Sequence, residues 1–471
     1  WRGNCFVLCK MKVLLFVLTA LPLIGASKPN VLWIYVDDMS DWFGCYGHKV
    51  VSTPNIDALA AEGTRFERAF VPAPVCSSTR SALITGMMQT SLGLHHHRTM
   101  FKKPLPKEIQ AVPTHFQRAG YITFNETKDD YNFEEPRSHL YSHKFGTRGD
   151  FSGDLEWMAE LQGKPFFGQI QLKGGKLGGE AGQKFPSKSR VDASKIEVPP
   201  FYPDTEVFRD AIARHYEQVA VVDSEVGAII SALKKNNLWK NTIVVFFTDH
   251  GSPLPREKQN LYEAGLKVPL IFRGPGIPVG EVRNDLVSGI DISSTSLSFL
   301  NFPLPKNLEG GDLFDKNYVP RDFVIGARDR LGVAIDRVRT VRTDRFRYIR
   351  NYQTDRELYQ LQYREDHATL KELRKMYLEG KLTPEQASYH DAAQRSAEEF
   401  YDLQRDPYQM KNLATDPAVS DELQRHRNIL EKWANETGDK GRLPASKKEL
   451  EAVYKRAKGK VANPEYRFLK K

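Results

Sequence analysis

A cysteine stands where an unreactive thiol would be unusual, in the segment PVCSSTRSALITG. Cys76 lies two positions after a proline and four before Arg80, and the run from Ser81 to Gly86 is typical of a helix. Backbone N–H groups at a helix start attract anions and lower the pKa of a nearby thiol. Arg80 adds a forked donor suited to a tetrahedral oxyanion. The segment therefore predicts a nucleophile beside an anion-binding group.

Carboxylates at the ends of two apolar segments form the second group that could do chemistry. NVLWIYVDD ends in Asp37 and Asp38, and NTIVVFFTDHG ends in Asp249, His250 and a glycine. Ligands of open α/β sheets bind beyond the carboxyl ends of the strands, and carboxylates gathered there repel one another unless a cation lies between them. We therefore expect a divalent metal site, where the carboxylates favour Ca²⁺ or Mg²⁺ and the histidine leaves Mn²⁺ or Zn²⁺ open. The alternative is that the adjacent aspartates only cap a turn.

The elements that must position these residues indicate an α/β fold. The two apolar segments lack polar alternation, which is typical of strands covered by helices on both faces. Between them, TPNIDALAAEG has Thr53 as a helix N-cap with Pro54 at the first position, and Asp210 to Lys235 has a long amphipathic pattern. We expect a large mixed or parallel sheet sandwiched by helices, in a catalytic domain of residues 28–335.

The composition changes after residue 335. Arg337 to Tyr352 alternates apolar and basic residues, which is typical of antiparallel strands with one solvent-exposed face. A charged helical stretch follows, in which Thr383 begins a capping-box segment. The pattern predicts a smaller C-terminal α+β domain, residues 336–471, that contains an antiparallel sheet.

Residues 1–27 have the pattern of an export signal. Lys12 precedes the apolar run Val13 to Ile24, which small residues follow as far as Ser27. A spanning helix needs about 20 apolar residues, so this run is too short for a stable membrane anchor. We expect the residues before Met11 to be an upstream extension. We expect cleavage near Ser27 and an exported protein, whether periplasmic, secreted or lumenal.

The overall composition is ordinary for a globular protein and favours an anionic ligand. The 471 residues are 40% hydrophobic and 27% charged. The formal net charge is +9, with Arg2, Lys10 and Lys12 in the expected signal peptide. The remaining basic balance suits an anionic substrate, although a solvated basic surface has the same composition. We expect no nucleic acid partner.

The segment CSSTR followed by SALITG resembles the sulfatase signature, in which a cysteine, a proline two residues on and an arginine direct conversion of the cysteine to formylglycine. Further segments resemble sulfatase blocks in the same order: NVLWIYVDDMSDWFGCYG, TPNIDALAAEGTRFERAF, FFTDHG, LYEAGLKVPLIFRGPG and EFYDLQRDPYQMKNLA. VPPFYPDTEVFRDAIARHYEQV and GSPLPREKQNLYEAG most resemble the N-sulfoglucosamine sulfohydrolase branch. The sequence is identified as a member of the formylglycine-dependent type I sulfatases, within the alkaline phosphatase superfamily.

The resemblance implies roles at matching positions. A metal ion, usually calcium in this family and with Mg²⁺ or Mn²⁺ possible, would be held by Asp37, Asp38, Cys76, Asp249 and His250. Cys76, converted to formylglycine by a formylglycine-generating maturation enzyme, would be the nucleophile. Arg80 would hold that group and the sulfate, and Lys128 and Lys258 match the family's two sulfate-binding lysines.

This chemistry explains the unusual nucleophile. In the mechanism that the resemblance implies, one hydroxyl of the hydrated aldehyde would attack sulfur, and a metal would favour its ionisation and offset charge on the sulfate. The second hydroxyl then expels sulfate by re-forming the aldehyde. A serine could form the same ester but would lack this exit.

The chain departs from the family pattern at a few positions. Ser78 replaces the usual proline and Thr79 the usual serine, which bears on recognition by the maturation enzyme. Asp130 stands where the family often has a histidine. The usual leaving-group histidine is also absent, because the strand KPFFGQIQL continues as KGGKLGG. Lys173 or Lys176 is then the candidate acid, and we assign catalysis to Lys173 and substrate binding to Lys176. A lysine would need a lowered pKa to donate near neutrality.

Three consecutive histidines, His95 to His97, follow the signature. Consecutive residues do not share a face, so a three-histidine metal site is not expected. The segment is either a polar loop or part of the rim that lines the substrate, in which case His97 binds the saccharide.

Three functions remain open at this point. The first is an exported sulfatase that hydrolyses O-sulfate or N-sulfate groups of sulfated saccharides, as in glycosaminoglycan degradation. The second is a phosphodiesterase or phosphonate monoester hydrolase of the same superfamily. The third is a non-catalytic binder of sulfated glycans, if Cys76 stays a thiol. A phosphatase loop with arginine six residues after the cysteine is excluded, because that position is Ala82. A cysteine–histidine hydrolase would leave the acidic cluster unexplained.

Overall fold

The computed structural model describes Trp1 and residues 28–126, 128–144, 155–177, 191–300, 302–360 and 364–469. The expected signal peptide, residues 1–27, lies outside the described residues except for Trp1. Across these described ranges, no helix is both long and apolar enough to cross a membrane.

Strands and helices alternate through the first three hundred residues, where β1 to β7 form one sheet. The strands after residue 320 form a second sheet. The strands are β1 Asn30–Val36, β2 Thr64–Phe70, β3 Ile122–Asn125, β4 Phe166–Leu172, β5 Thr242–Thr248, β6 Lys267–Arg273, β7 Glu281–Ser288, β8 Val324–Arg328, β9 Val338–Arg342, β10 Phe346–Asn351 and β11 Glu398–Asp402. The α-helices are α1 Pro54–Ala61, α2 Cys76–Thr85, α3 Gln89–Leu92, α4 Val112–Arg118, α5 Arg137–Leu140, α6 Glu206–Lys235, α7 Glu263–Leu266, α8 Asp291–Ser298, α9 Ala368–Leu378, α10 Pro384–Ser388, α11 Ser420–Glu436 and α12 Lys447–Arg456. Short 3-10 helices cover Gly44–Tyr46, Glu156–Leu161, Gly174–Lys176, Ala193–Lys195, Trp239–Asn241, Ala392–Gln394, Pro417–Val419, Lys440–Arg442 and Pro464–Leu469.

The larger sheet has the strand order β3-β4-β1-β5-β6-β2-β7 and is mixed. β3, β4, β1 and β5 run parallel to one another, whereas β6 is antiparallel to both β5 and β2. Every residue of β1, β4 and β5 is buried, as expected for strands without polar alternation. The predicted α/β class and mixed sheet are confirmed.

Helices cover both faces of this sheet. On one face, Leu32 of β1 belongs to an apolar cluster with Val222 of α6. On the other face, Trp33 clusters with Phe116 of α4 and Ile292 of α8. Adjacent residues of β1 thus supply opposite cores, because successive side chains of a strand point to opposite faces. The predicted sandwich of a sheet between helices is confirmed.

The register of the parallel strands brings their carboxyl ends to one place. Val36 of β1 lies opposite Thr248 of β5 and Leu172 of β4. The N–H of Asp249 donates to the Val36 carbonyl at 3.0 Å, and the N–H of Asp37 donates to the Leu172 carbonyl at 3.0 Å. The segments that follow these three strands therefore begin side by side at one edge of the sheet.

The second sheet is antiparallel, in the order β11-β10-β9-β8, and the α+β prediction for the C-terminal region is confirmed. The predicted domain boundary after residue 335 falls between β8 and β9, so β8 belongs to this sheet but precedes the boundary. The prediction of one solvent-exposed face was wrong, because every residue of β9 and all but one of β10 are buried. Two of their buried arginines pair with acids instead: Arg339 binds the buried Asp439, and Arg347 binds Glu263, which is 20% exposed.

Arg339 gives a test of this buried charge pairing. Its Nε and Nη2 atoms each lie 2.9 Å from an Asp439 oxygen, and the side chain is fully buried. We expect Arg339→Leu to lower the free energy of unfolding by about 3–5 kcal/mol, because it removes the buried charge that pairs with both Asp439 and Asp329. Urea denaturation followed by circular dichroism measures the loss.

Arg350→Leu is the matched control on the same sheet. Its side chain is 38% exposed and lies 3.5 Å from Glu398. An exposed pair of this kind contributes about 0–1 kcal/mol. Equal losses in the two variants would contradict the assignment of stability to the buried pair.

Candidate active site

Cys76 is the first residue of α2, and it is buried. Val75 before it has extended backbone angles and serves as the N-cap. The helix was predicted to begin at Ser81, so that boundary was wrong by five residues: the hydroxyl residues of the signature form the first turn. Ser78 donates its hydroxyl to the His95 carbonyl at 3.0 Å. The thiol therefore lies at a helix start, where backbone N–H groups lack intrahelical acceptors.

Three of the predicted metal ligands surround this thiol. The Cys76 Sγ lies 3.3 Å from His250 Nε2 and 3.6 Å from Asp38 Oδ1. The N–H of Asp38 donates to Asp249 Oδ1 at 2.8 Å. One potential ligand atom from each of Asp38, Cys76, Asp249 and His250 lies within 4.8 Å of the others, and all four residues are buried. The structure thus brings together Asp38, Asp249 and His250, as expected from the strand ends, and adds Cys76, which the resemblance implied.

The chemistry of these donors fits a divalent cation. Asp249 is fully buried, and its Oδ2 has no hydrogen-bond partner among the described residues. Burial and the neighbouring Cys76 and Asp37 raise its pKa to about 8. His250 Nδ1 lies 2.9 Å from the Gly251 carbonyl, which can only accept, so Nδ1 carries a proton and Nε2 is the nitrogen that faces the cluster and could bind a metal. A cation held there would satisfy the orphaned oxygen and relieve the crowding of negative charge.

Asp37 faces three cationic side chains. Lys128 Nζ lies 2.9 Å and 3.0 Å from its two oxygens, Lys176 Nζ lies 2.8 Å from Oδ2, and Arg80 forms a further ion pair. Burial alone would raise the pKa of Asp37, but Arg80, Lys128 and Lys176 outweigh it and hold the pKa well below its ordinary value. Its role as a metal ligand stays a prediction.

The thiol itself lies among ammonium groups. Lys176 Nζ is 3.6 Å and Lys258 Nζ is 3.7 Å from the Cys76 Sγ, and Lys258 also forms an ion pair with Asp38. Burial raises the pKa of Cys76, but Lys128, Lys176 and Lys258 outweigh it and lower the pKa well below the ordinary value. A tetrahedral oxyanion bound beside residue 76 would meet several positive groups at once.

Arg80 is held rigidly in the same cluster. Its Nη1 donates to Gln171 Oε1 at 2.6 Å, and its Nε lies 3.5 Å from Asp249 Oδ2. The guanidinium also stacks on the Tyr35 ring, 4.1 Å from its centroid. Sequence reasoning missed Gln171 and Tyr35. The available signal was a polar or amphipathic side chain inside a strand that is otherwise apolar.

The loop after β4 places Lys176, and two glycines make that possible. A Cβ at Gly174 would overlap the Asp37 carbonyl oxygen, and one at Gly175 would overlap the Asp38 carbonyl oxygen. The N–H of Gly175 donates to the Asp37 carbonyl at 3.0 Å. Lys173 is half-buried where this loop begins. Lys176 contacts Asp37 and Cys76 of the cluster. The substrate-binding role assigned to Lys176 and the catalytic role assigned to Lys173 both stay predictions.

Two polar residues of α6 hold this loop, and sequence reasoning did not find them. Gln218 Nε2 donates to the Leu177 carbonyl at 2.6 Å and to the Gly175 carbonyl at 3.3 Å. His215 Nδ1 lies 3.0 Å from Gln218 Oε1 and fixes the orientation of the amide. Both residues are buried on α6. In the sequence, polar residues on the otherwise apolar face of this amphipathic helix could have indicated them.

His97 lies buried next to the cluster. The backbone N–H of His97 donates to the Arg330 carbonyl at 2.8 Å. Burial lowers the pKa of His97 well below its ordinary value, and the positive charges of Arg98, Lys258 and Lys128 lower it further. The ring is therefore neutral and near the site, while its role in substrate binding stays a prediction.

Comparison with known proteins identifies this arrangement. The family model described as Sulfatase matches residues 29–302. The ulvan-active sulfatase of Formosa agariphila is 30% identical over 460 residues, which cover 89% of this chain and 77% of that protein. The chain belongs to the sulfatase family. It is a sulfuric ester hydrolase, and the family resemblance found in the sequence is confirmed.

Other relatives show how widely the fold is used. Human N-sulphoglucosamine sulphohydrolase is 26% identical to this sulfatase over 486 residues, covering 92% of this chain and 95% of the human protein. The structure of the phosphonate monoester hydrolase of Agrobacterium radiobacter superposes with a TM-score of 0.65 at 18% identity, covering 87% of this chain and 96% of that one. The fold alone therefore does not separate sulfate from phosphonate chemistry.

Asp249 offers a direct test of the metal site. We expect Asp249→Asn to lower the metal content of the purified sulfatase and to abolish turnover, because it removes a charged ligand from the cluster. The fold should survive, since the amide keeps an acceptor for the Asp38 N–H. Atomic emission analysis and circular dichroism measure the two effects.

Asp41→Asn serves as the control, because Asp41 pairs with Lys267 outside the cluster. It should retain both metal and activity. A metal-free Asp249→Asn protein with full activity would contradict the site assignment.

Lys258 tests the sulfate contacts. We expect Lys258→Ala to reduce kcat/KM for a sulfate ester by at least about tenfold, the scale of a lost charge-assisted contact of about 1.5–3 kcal/mol. Lys267→Ala is the control, because its Nζ lies 2.8 Å from Asp41 rather than in the cluster. Equal losses at both positions would indicate general electrostatics rather than a specific sulfate contact.

Proposed function

We propose that this sulfatase is exported and removes sulfate from sulfated saccharides, as esters or N-sulfates, through a formylglycine derived from Cys76 and one divalent metal ion. The observation that carries the proposal is the position of Cys76. It lies at a helix start, beside the acceptors of Asp38 and His250 and within 3.7 Å of the ammonium groups of Lys176 and Lys258. An inert thiol would have little use for so many charged neighbours.

Some side chains of the cluster would bind the sulfate, and others hold the binding groups in position. Lys128, Lys258 and Arg80 would bind the sulfate oxygens, since all three converge on the carboxylates next to residue 76. Gln171 and the Tyr35 ring keep the arginine in one orientation. Burial of the cluster removes competing water, which strengthens each of these contacts.

A metal ion would be held by Asp38, Asp249 and His250, with Asp37 and residue 76 completing the set. When bound, it would supply positive charge that favours ionisation of the hydrated aldehyde and offsets the charge of the sulfate. Ca²⁺ is our first choice because the ligands are mainly carboxylate oxygens, and Mg²⁺ or Mn²⁺ are alternatives.

The leaving group needs a proton donor. Lys173 and Lys176 remain the candidates, and the contacts of Lys176 with Asp37 and Cys76 favour Lys176. Burial lowers the pKa of Lys176, but Asp37 and Asp38 raise it well above its ordinary value. Its ammonium would donate readily only where those carboxylates are neutralised by a cation.

The saccharide substrate and the export route rest on separate support. The saccharide substrate is supported by the names of two relatives given above, which refer to ulvan and to N-sulphoglucosamine. Export rests on the apolar run at Val13 to Ile24 with its small residues up to Ser27. No membrane anchor and no nucleic acid partner form part of the proposal.

Paired assays separate this proposal from its alternatives. The protein should hydrolyse an aryl sulfate faster than an aryl phosphate diester or an aryl phosphonate monoester. The reverse order would favour the phosphodiesterase or phosphonate hydrolase function. Turnover of none of them, together with tight binding of a sulfated glycan, would favour a non-catalytic binder.

Maturation at Cys76 is the sharpest test of the mechanism. Protein from its native host should carry formylglycine at residue 76, detected as a peptide that has lost sulfur and reacts with a hydrazide. In a foreign host we expect partial conversion, because Ser78 replaces the usual proline, and Ser78→Pro should raise the aldehyde fraction and the activity in proportion. The backbone accepts proline in the first turn of α2, where the N–H has no intrahelical acceptor.

Ser78→Ala is the matched control, because both changes remove the hydroxyl bond to His95 but only one adds proline. The alanine variant should keep the original aldehyde fraction. A native protein with an unmodified Cys76 that hydrolyses sulfate esters at full rate would overturn the mechanism. An unmodified and inactive native protein would favour the glycan-binding function.

A further inference from the structure

Glu257 is a buried acid next to Lys258 that has no part in the proposed chemistry. It is 1% exposed. Burial raises the pKa of Glu257 above its ordinary value, although hydrogen bonds from Ser252, Ser40 and Tyr202 lower it. Burying a polar group is costly unless its hydrogen bonds are made, so the partners of this carboxyl group indicate what it does.

One oxygen of this carboxyl group joins the segments that follow β1 and β5. Glu257 Oε2 accepts from the Ser40 hydroxyl at 2.9 Å and from the Ser252 N–H at 3.2 Å. The Ser252 N–H also donates to Ser40 Oγ at 3.1 Å. Ser40 lies two residues after Asp38, and Ser252 lies two residues after His250. Glu257 is therefore bonded to both segments that leave the sheet with predicted metal ligands.

The other oxygen faces the segment before α6. The Tyr202 hydroxyl lies 3.2 Å from Glu257 Oε1 and also contacts the Pro255 carbonyl. Tyr202 is buried, and its ring stacks on Phe208 of α6 with the centroids 4.7 Å apart. Three separate segments of the first domain thus converge on one carboxyl group.

The backbone around Glu257 has a conformation that depends on such contacts. Arg256 and Gln259 have φ angles of 62° and 76°, in the left-handed region that residues with a Cβ seldom adopt. Strained positions of this kind persist where the surrounding contacts fix them. Arg256 is held by Tyr389, to whose hydroxyl its Nε donates at 2.9 Å. The two residues between the strained positions are Glu257 and Lys258, so the bonds of the glutamate fix the bend that carries the lysine.

Lys258 reaches the catalytic cluster from this bend. Its N–H donates to the Ser252 carbonyl at 3.1 Å. Its ammonium group forms an ion pair with Asp38 and lies 3.7 Å from the Cys76 Sγ. A shift of the bend would therefore move the ammonium group relative to both a predicted metal ligand and the nucleophile.

We propose that Glu257 is a positioning residue of this sulfatase, which holds Lys258 where its ammonium group can bind a sulfate oxygen. Glu257 does not touch the substrate, because its carboxyl group is buried and its bonds are made within the protein. The inference rests on the proposed function, since it takes Lys258 to be a sulfate-binding residue. Outer partners that orient the residues of a metal site typically contribute about 10–100-fold to affinity or activity.

Binding of inorganic sulfate tests this role without turnover, by calorimetry on the full chain. Glu257→Met keeps a side chain of similar length but cannot accept from Ser40 and Ser252, so we expect the Kd for sulfate to rise about tenfold or more. Glu257→Gln offers an oxygen to the two serines and an amide N–H to Tyr202. It should therefore bind sulfate within about threefold of the wild type.

A double-mutant cycle with Lys258→Ala separates positioning from a general structural effect. If Glu257 acts through Lys258, Glu257→Met should change the Kd less than about twofold once Lys258 is alanine. A residue that only stabilises the fold would cause the same loss in both backgrounds, and that result would overturn the proposal. If Glu257→Met does not fold, Ser40→Ala takes its place. It should weaken sulfate binding about threefold, the scale of one hydrogen bond, and only when Lys258 is present.

Asp223→Asn is the matched control on α6. Asp223 is also buried and accepts hydrogen bonds, from the Ile56 N–H and from Asn55 Nδ2 at 2.8 Å each. Burial raises the pKa of Asp223, as it does for Glu257. We expect Asp223→Asn to lower the Tm, because the amide accepts fewer of these bonds, and to leave the Kd for sulfate unchanged.

The outcomes separate this proposal from the proposed function. Unchanged sulfate binding in Glu257→Met, an equal loss in Asp223→Asn, or a wild type that does not bind sulfate would each overturn the positioning role. A protein that shows the coupling between Glu257 and Lys258 but hydrolyses no sulfate ester would contradict the proposed function alone. A protein that hydrolyses sulfate esters while the two losses add would contradict the positioning role alone.

Discussion

Negative charge crowded at one edge of a buried sheet is the constraint on which the rest of this site depends. Asp37, Asp38 and Asp249 follow adjacent parallel strands, and each is at least nine-tenths buried. Asp37 and Asp38 stay ionised because cations outweigh the effect of burial, whereas Asp249 keeps a pKa raised to about 8. The lysines and Arg80 therefore compensate the negative charges of Asp37 and Asp38. They do not fully compensate a negative charge on Asp249, whose pKa stays raised.

That charge balance also constrains the backbone around it. Lys176 reaches Asp37 only because Gly174 and Gly175 let their loop touch the carbonyls of the two aspartates. Gln218 then holds the loop from the other side through two carbonyl contacts. The contact between Lys176 and the buried Asp37 thus depends on two glycines in the lysine's own loop and on the buried Gln218 amide of α6.

The sequence predicted the residues that lie at strand ends better than those that depend on packing between distant segments. Asp38 and Asp249 could be predicted because an apolar run fixes where a buried strand stops, and parallel neighbours share one edge. The start of α2 was misplaced because its first turn is made of serine and threonine, which favour caps and turns in isolation. Arg339 and Arg347 were expected to face water because an arginine in a strand carries no local sign of its acidic partner. Gln218 was missed for the same reason.

The C-terminal sheet is part of the catalytic architecture rather than an appendage to it. Glu263 lies shortly after the Lys258 loop, and it is bound by Arg347 of β10 and by Arg342 of β9. Each of these ion pairs is largely buried, so the two sheets cannot separate without leaving charges uncompensated. The position of Lys258 relative to Cys76 therefore depends on strands more than eighty residues later in the chain. The nucleophile and the acids of the site thus belong to segments of the larger sheet, while the region that follows one of its lysines is held by arginines of the smaller sheet.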